Sequence, residues 1–194
     1  MMHTLDGVRL IGISGKIGSG KTTLANYLME HYPGMTRRSF ADKLREVLSL
    51  LTNVASNETR SVEQKGRILP EWDKTIGVML QDIGEGLRQY LHKDTWVLSL
   101  FSNYDQSRDY WIIDDMRHIN EANIIKKHGG VLIRLEGDPS GVRAASTRDL
   151  NHISETALDD YHGFDVIIQT DQFIDRHHDM FLEINRQLRG SNGA

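Results

Sequence analysis

Eight residues near the start of the chain, Gly15-Lys16-Ile17-Gly18-Ser19-Gly20-Lys21-Thr22, combine the residue types that hold a nucleotide phosphate. They fit G-x-x-x-x-G-K-[ST] at every fixed position. Glycines 15, 18 and 20 let backbone N–H groups converge on phosphate oxygens with no Cβ in the way. Lys21 is spaced to reach the β- and γ-phosphates of ATP, and the Thr22 hydroxyl to bind Mg²⁺. The apolar run Val8 to Ser14 precedes the loop, and helical spacing of Leu24, Tyr27 and Leu28 follows it within Thr22 to His31. A loop in that context delivers phosphate to a helix N-terminus, where the dipole favours an anion. Lys16, Ser19 and Thr23 complete the candidate donor-binding set, although Lys16 also reads as a solvated charge.

Other stretches carry residues suited to an acceptor. Asp114 and Asp115 end the apolar run of "DYWIIDD". A carboxylate at that end of a buried strand suits Mg²⁺, held directly or through water, and Asp114 is the candidate. Strand neighbours point to opposite faces, so the two acids compete for one role, and a helix cap is the plain alternative. Gln81, Gly84, Glu85 and Arg88 fall at i, i+3, i+4 and i+7 of "TIGVMLQDIGEGLRQYL" and share one polar helix face. Gln81 there suits a base edge and Arg88 a phosphate fork, against the alternative of a solvated face. Phe40 suits either base stacking or the core. Arg37 and Arg38 carry a weaker signal and read as solvated.

The elements that must position these groups alternate. Strands are expected at Val8–Ser14, "DYWIIDD", "VLIRLEG" and "FDVIIQT", with helices at Thr22–His31, "FADKLREVLSLL", around Gln81, "TWVLSLFSNY", "HINEANIIKKHGG" and Asp171–Leu188. Leu44, Val47, Leu48 and Leu51 are expected on one inner helix face, and Ile76, Leu80, Ile83 and Leu87 on another. Thr52 to Leu69 lacks a period and reads as a mobile segment over the site. The class is α/β with a mostly parallel sheet, and with the phosphate loop it becomes a three-layer P-loop kinase fold with flanking helices and a small lid. One domain over 1–194 is expected, with a lid at about 138–160 and a flexible tail at about 190–194.

The 194 residues are 39% hydrophobic and 26% charged, with net charge −4, which fits one globular domain and disfavours general nucleic-acid binding. No cysteine is present, so disulfides and thiolate metal sites are excluded. No apolar run approaches the roughly 18 residues of a membrane span, and the start lacks a signal-peptide pattern, so a cytoplasmic location is expected. The base-reading N-K-x-D of GTPases and the LSGGQ of transporter ATPases are both absent.

From about Leu10 to Asp171 the chain resembles the bacteriophage deoxynucleoside monophosphate kinases, within the P-loop nucleotide kinases. The resemblance lies in "SGKIGSGKTT", "SFADKLRE", "LQDIGEGLRQ" before "DTWV", "IIDDMRHINEANIIKKHGGVLIRLEG", and "NHISETALDD" before "FDVIIQTD". It implies ATP-dependent phosphorylation of a deoxynucleoside 5′-monophosphate with Mg²⁺, in the host cytoplasm for a phage protein. The family's Asp-x-Arg followed by Glu falls on Asp115, Arg117 and Glu121, which favours Asp115 and Arg117 as site residues. Acceptor contacts are implied around Phe40, Asp42, Lys43 and Arg45. A lid arginine is implied at Arg148 or, second, Arg143; either could instead pair with the acids of "ETALDD". His152 and Glu155 match the family's H-x-[ST]-E. Where the family commonly has an Asn-Asp-Gly turn, this chain has "QTDQ", Gln169 to Gln172. A kinase for a hydroxyl acceptor, such as a hydroxymethylated pyrimidine in phage DNA, is the second reading, with Asp42 or Asp115 as base. A nucleotide-binding protein without catalysis is the third. DNA is a partner only under the second, no membrane is implied, and a homodimer is left open.

Overall fold

The computed structural model describes residues 5, 7–139, 141, 153–173 and 176–191. In chain order the elements are β1 (Leu10–Gly15), α1 (Lys21–His31), β2 (Thr36–Arg38), α2 (Ala41–Thr52), α3 (Val62–Gly66), β3 (Ile68–Leu69), β4 (Lys74–Thr75) and α4 (Ile76–Tyr90). They continue with α5 (Thr95–Phe101), β5 (Trp111–Met116), α6 (Ile119–Lys127), β6 (Val131–Glu136), α7 (Ile153–Thr156), β7 (Val166–Gln169) and α8 (His177–Ser191). Two compact units result, one from the described residues of Met1–Ser39 and Asp105–Ala194, the other Phe40–Tyr104.

The first unit is a five-stranded sheet in the order β2-β5-β1-β6-β7, with every pair parallel. Parallel strands are covered on both faces, which is why β1, β5 and β6 read as near-continuous apolar runs. Ile11, Ile13, Ile133, Leu135, Val166 and Ile168 pack on one side with Leu24 and Leu28 of α1 and Phe181 and Ile184 of α8. On the other side Ile125 of α6 lies against β1, so close that a Cβ at Gly12 would stand 2.7 Å from Ile125 Cδ1. The three layers are thus helices, sheet, helix. Because β1 lies between β5 and β6, the loop after β1 and the ends of β5 and β6 share the carboxyl edge, where α/β ligands bind.

The second unit gathers Leu48, Val54, Ile76, Met79 and Leu80 into a core, with Leu44, Leu69 and Ile83 packed on it. Leu51 is 53% exposed, so the inner stripe expected of α2 is narrower than its leucines suggest. The 52–69 stretch, expected to be mobile, is built from short capped pieces. A 3₁₀ turn covers Ser56–Thr59. Ser61 Oγ accepts from Gln64 N at 3.1 Å while Gln64 Oε1 accepts from Ser61 N at 3.1 Å, a reciprocal cap for α3. The β3–β4 hairpin pairs Ile68 with Thr75 and Leu69 with Lys74. Pieces this short cannot show a period. Among the described residues no helix is long and apolar enough to cross a membrane. Residues 140 and 142–152 of the expected lid, and 192–194 of the expected tail, lie outside the described residues.

Backbone also approaches closely at Gly130, between α6 and β6. A Cβ there would stand 2.6 Å from Ile125 Cγ2, 2.9 Å from Ile125 O and 3.0 Å from Leu10 O. Gly130→Ala is expected to cost about 1–3 kcal/mol by forcing these apart, read as a lower denaturant midpoint at unchanged m. A change within about 0.5 kcal/mol would show that the junction gives way freely.

Candidate active site

β1 ends at Gly15 and α1 begins at Lys21, with Gly20 at the N-cap in the left-handed region (φ 88°) and no side-chain cap. The free N–H groups of the first turn therefore face the loop. Gly15 has no room for a side chain, since a Cβ would lie 2.5 Å from Leu135 O and closer still to Ser19 Oγ. Lys21 folds back over the loop, its Nζ donating to Gly15 O at 2.6 Å and Lys16 O at 2.8 Å. Burial, and then the neighbouring Arg117 guanidinium, lower its pKa from the ordinary 10.5 to about 8. Ser19 Oγ is buried with no hydrogen-bond partner among the described residues. A buried cation next to further cations, and a buried hydroxyl wanting a partner, fit an anionic ligand.

The end of β5 separates the two candidate acids. Asp114 is 6% exposed. It accepts from Thr22 Oγ1 at 3.3 Å, from Arg37 Nε at 2.9 Å and from Arg37 Nη2 at 2.5 Å. Arg37 Nη2 also donates to Thr22 Oγ1 at 3.3 Å. Arg37, expected to be a solvated charge, is therefore a member of the cluster. Asp115, the acid that the family pattern favours, accepts from Ser39 Oγ at 2.5 Å. The structure thus brings the two residues expected to face metal, Thr22 and Asp114, within hydrogen-bond distance, and turns Asp115 toward Ser39. At the start of α6, Glu121, 2% exposed, accepts from Arg117 N at 2.7 Å and His118 N at 3.1 Å and so fixes the backbone of Arg117.

The Arg117 side chain pairs with Glu155, itself 8% exposed. Arg134, inside β6 and 7% exposed, donates to Ser14 Oγ at 3.1 Å and to Asp159 Oδ1 at 2.8 Å. Lys16 pairs with the same Asp159 at 2.8 Å, so it is bound rather than merely solvated. Sequence reasoning missed Arg134, although a lone cation inside the run "VLIRLEG" is a signal of a buried charge. A cavity of about 290 Å³ opens beside the loop, lined by Lys16, Arg134, Leu135, Glu136, Gly137 and Asp159. Its rim is tied to the "QTDQ" turn. Asp171 Oδ1 accepts from Asp138 N at 2.9 Å, and Thr170 Oγ1 donates to Glu136 O at 2.8 Å.

In the second unit, α4 exposes Gln81 and Glu85, half-buries Arg88 and buries Gly84. Trp96 Nε1 of α5 donates to Gly84 O at 3.1 Å. Of the four residues expected on one polar face, Gln81 and Glu85 are thus exposed and Arg88 partly so, while Gly84 lies inside the unit. Phe40 is 4% exposed, its ring 6.3 Å from that of Phe101, which places it in the packing of its unit. Asp42 is bridged by Arg45 at 3.1 Å and Arg60 at 3.2 Å, and Lys43 pairs with Glu46 at 2.6 Å. Arg143, Arg148 and His152 lie outside the described residues.

No family model matches the chain. A solved structure described as "Structure of the Pnkp1/Rnl/Hen1 RNA repair complex" contains a chain 13% identical to this one, with a TM-score of 0.30. The alignment covers 94% of this chain, which spans 44% of that chain's length. A protein of Acanthamoeba polyphaga mimivirus named "Putative deoxynucleotide monophosphate kinase" is 30% identical over 192 residues, 89% of this chain and 94% of the viral one. With a parallel α/β sheet and a cation-lined glycine loop at its carboxyl edge, the chain belongs to the deoxynucleotide monophosphate kinase-like family of phosphotransferases that this viral protein represents.

Proposed function

We propose that the chain transfers the γ-phosphoryl group of ATP to a deoxynucleoside 5′-monophosphate, giving the diphosphate and ADP. The observation that carries this reading is the set of Lys21, Thr22, Asp114 and Arg117 around one glycine loop. The backbone N–H groups of the loop and the first turn of α1 take the donor phosphates, and Lys21 leaves its carbonyl partners for their oxygens. Ser19 Oγ gains the partner that it lacks among the described residues. Magnesium, when bound at Thr22 and Asp114, supplies charge neutralisation on the polyphosphate. The acceptor is an anionic phosphate oxygen at neutral pH, so no general base is needed. That oxygen bonds to the γ-phosphorus as the bond to the β–γ bridging oxygen breaks, and the electron pair leaves with ADP. Arg117, held by Glu121 and Glu155, stabilises the charge on the transferring group, with Arg148 as a lid contributor. Arg88 grips the acceptor phosphate, while Gln81 and Glu85 read the nucleoside. The cavity lined by Lys16, Glu136 and Gly137 suits the base of the donor.

A coupled assay of ATP consumption with each of the four deoxynucleoside monophosphates tests the reaction. At least one is expected to support turnover, and Arg88→Ala and Arg117→Ala are each expected to lower kcat/KM about 100-fold or more. Transfer to hydroxymethylated DNA with none to free nucleotides would overturn the reading.

The lowered Lys21 pKa supplies a separate check. Folding weakens proton binding at Lys21, so the unfolded chain holds the extra proton between about 8 and 10.5, and this group makes stability rise with pH across that window. Phosphate oxygens beside the ammonium act in the opposite sense and raise the pKa again. Near pH 8, where the γ-phosphate of ATP is already largely ionised, Lys21 is therefore expected to take up as much as about half a proton on ATP binding. Calorimetry in buffers of different ionisation enthalpy reads the uptake, and Lys21→Met should abolish it. Proton release at pH 8 would contradict the assignment.

A further inference from the structure

Arg37 already fills the place beside Asp114 where a metal would be useful. One nitrogen, Nη2, lies 2.5 Å from Asp114 Oδ2 and 3.3 Å from Thr22 Oγ1, and those two oxygens are themselves 3.3 Å apart. Nε holds the other carboxylate oxygen at 2.9 Å. The Thr22 hydroxyl gives its proton to Asp114 and accepts from Arg37, so its lone pair is engaged. A magnesium or manganese ion needs that lone pair at roughly 2.1 Å. An ion within reach of both oxygens would be pressed against Nη2, and two cations in so buried a site repel.

We propose that Arg37 is the resident cation of the Thr22–Asp114 pair, and that a divalent metal ion bound with nucleotide takes these oxygens from it. This rests on the reading above of Thr22 and Asp114 as metal-facing residues. The two partners of the ion pair differ in freedom. The Asp114 side chain is 5% exposed at the end of a central strand, whereas the Arg37 side chain is 36% exposed on β2, an edge strand whose three residues are all exposed. The guanidinium therefore has an outward path and the carboxylate has none. Exchange of one cation for another also spares the buried carboxylate an interval without a counter-charge, an unfavourable condition for a desolvated acid. Arg37 is then a positioning residue, keeping Asp114 and Thr22 aligned while setting a threshold for metal.

The test is Mn²⁺ binding in the presence of ADP, followed by electron paramagnetic resonance of free Mn²⁺, with no turnover involved. Wild type, Arg37→Met, Arg37→Gln and Asp114→Asn are compared, each checked for fold by near-UV circular dichroism. Removing the competitor is expected to tighten Mn²⁺ binding about tenfold in Arg37→Met. Arg37→Gln, which keeps an N–H for Asp114 but no charge, should show most of that gain and carries the test alone if Arg37→Met does not fold. Asp114→Asn should bind Mn²⁺ more weakly than wild type. Equal or weaker Mn²⁺ binding in the folded Arg37 variants, with Asp114→Asn still impaired, would overturn the competition and leave the metal reading standing. Mn²⁺ affinity indifferent to Asp114→Asn, with ADP bound, would overturn the metal reading and this inference with it.

Discussion

A carboxylate buried at the end of a central strand must have a counter-charge within reach, or its desolvation goes uncompensated. Asp114 meets that demand with Arg37 from β2 and Thr22 from the first turn of α1. Three elements are thereby pinned at one point. The three residues of β2 count as exposed, and the strand is held by its pairing with β5, by this ion pair and by Arg38 over the Trp111 ring. The start of α1 is fixed through Thr22, and the glycine loop is stretched between that helix and the end of β1. Packing of Ile11 and Ile13 against α1 sets the sheet–helix distance, and the Asp114 cluster then sets where the helix begins.

Around the same loop gather the cations Lys16, Lys21, Arg117 and Arg134. Burial first, and then the field of Arg117, lower the Lys21 pKa, while Glu155 and Asp114 act the other way. The compensating acids, Glu155 and Asp159, come from α7 and the turn after it and bind Arg117, Arg134 and Lys16. Each guanidinium is held by a carboxylate, Arg117 by Glu155 and Arg134 by Asp159, with Ser14 on a second nitrogen of Arg134. Donors fixed in advance need no reorganisation when a polyphosphate arrives, which is the main electrostatic advantage of such a site.

The sequence made the loop, the strand–helix alternation and the parallel sheet plain because each depends on local spacing. Gly15 to Thr22 sit at fixed offsets, and the runs of β1, β5 and β6 are apolar because both faces are covered. What stayed hidden depends on partners distant in the chain. Arg37 lies 77 positions from Asp114, and nothing about "TRR" distinguishes a clasped arginine from a solvated one. The choice between Asp114 and Asp115 turns on strand register, which adjacent identical residues cannot reveal. The 52–69 stretch looked shapeless because a capped single turn and a two-residue hairpin are too short to repeat. Leu51 has the spacing of a core residue on a helix whose buried stripe is narrower than its run of leucines.

The glycine of the α4 face raises a different question, because glycine in mid-helix costs about 1 kcal/mol relative to alanine. Close packing would be the ordinary reason. Yet a Cβ at Gly84 would meet only Leu44 Cδ2, at 3.6 Å, an ordinary contact that alanine could make. The positive-φ explanation does not apply either, since Gly84 is helical. Its carbonyl, however, receives the Trp96 indole N–H, so α5 is anchored to the turn that carries Glu85 and Arg88. A side chain is thus not forbidden at Gly84 by its own unit, while the turn around it is held firmly. Gly84 is itself buried, so what it contributes is internal: its carbonyl anchors α5 to the turn between Gln81 and Arg88, and that anchor holds the turn that presents Glu85 and Arg88.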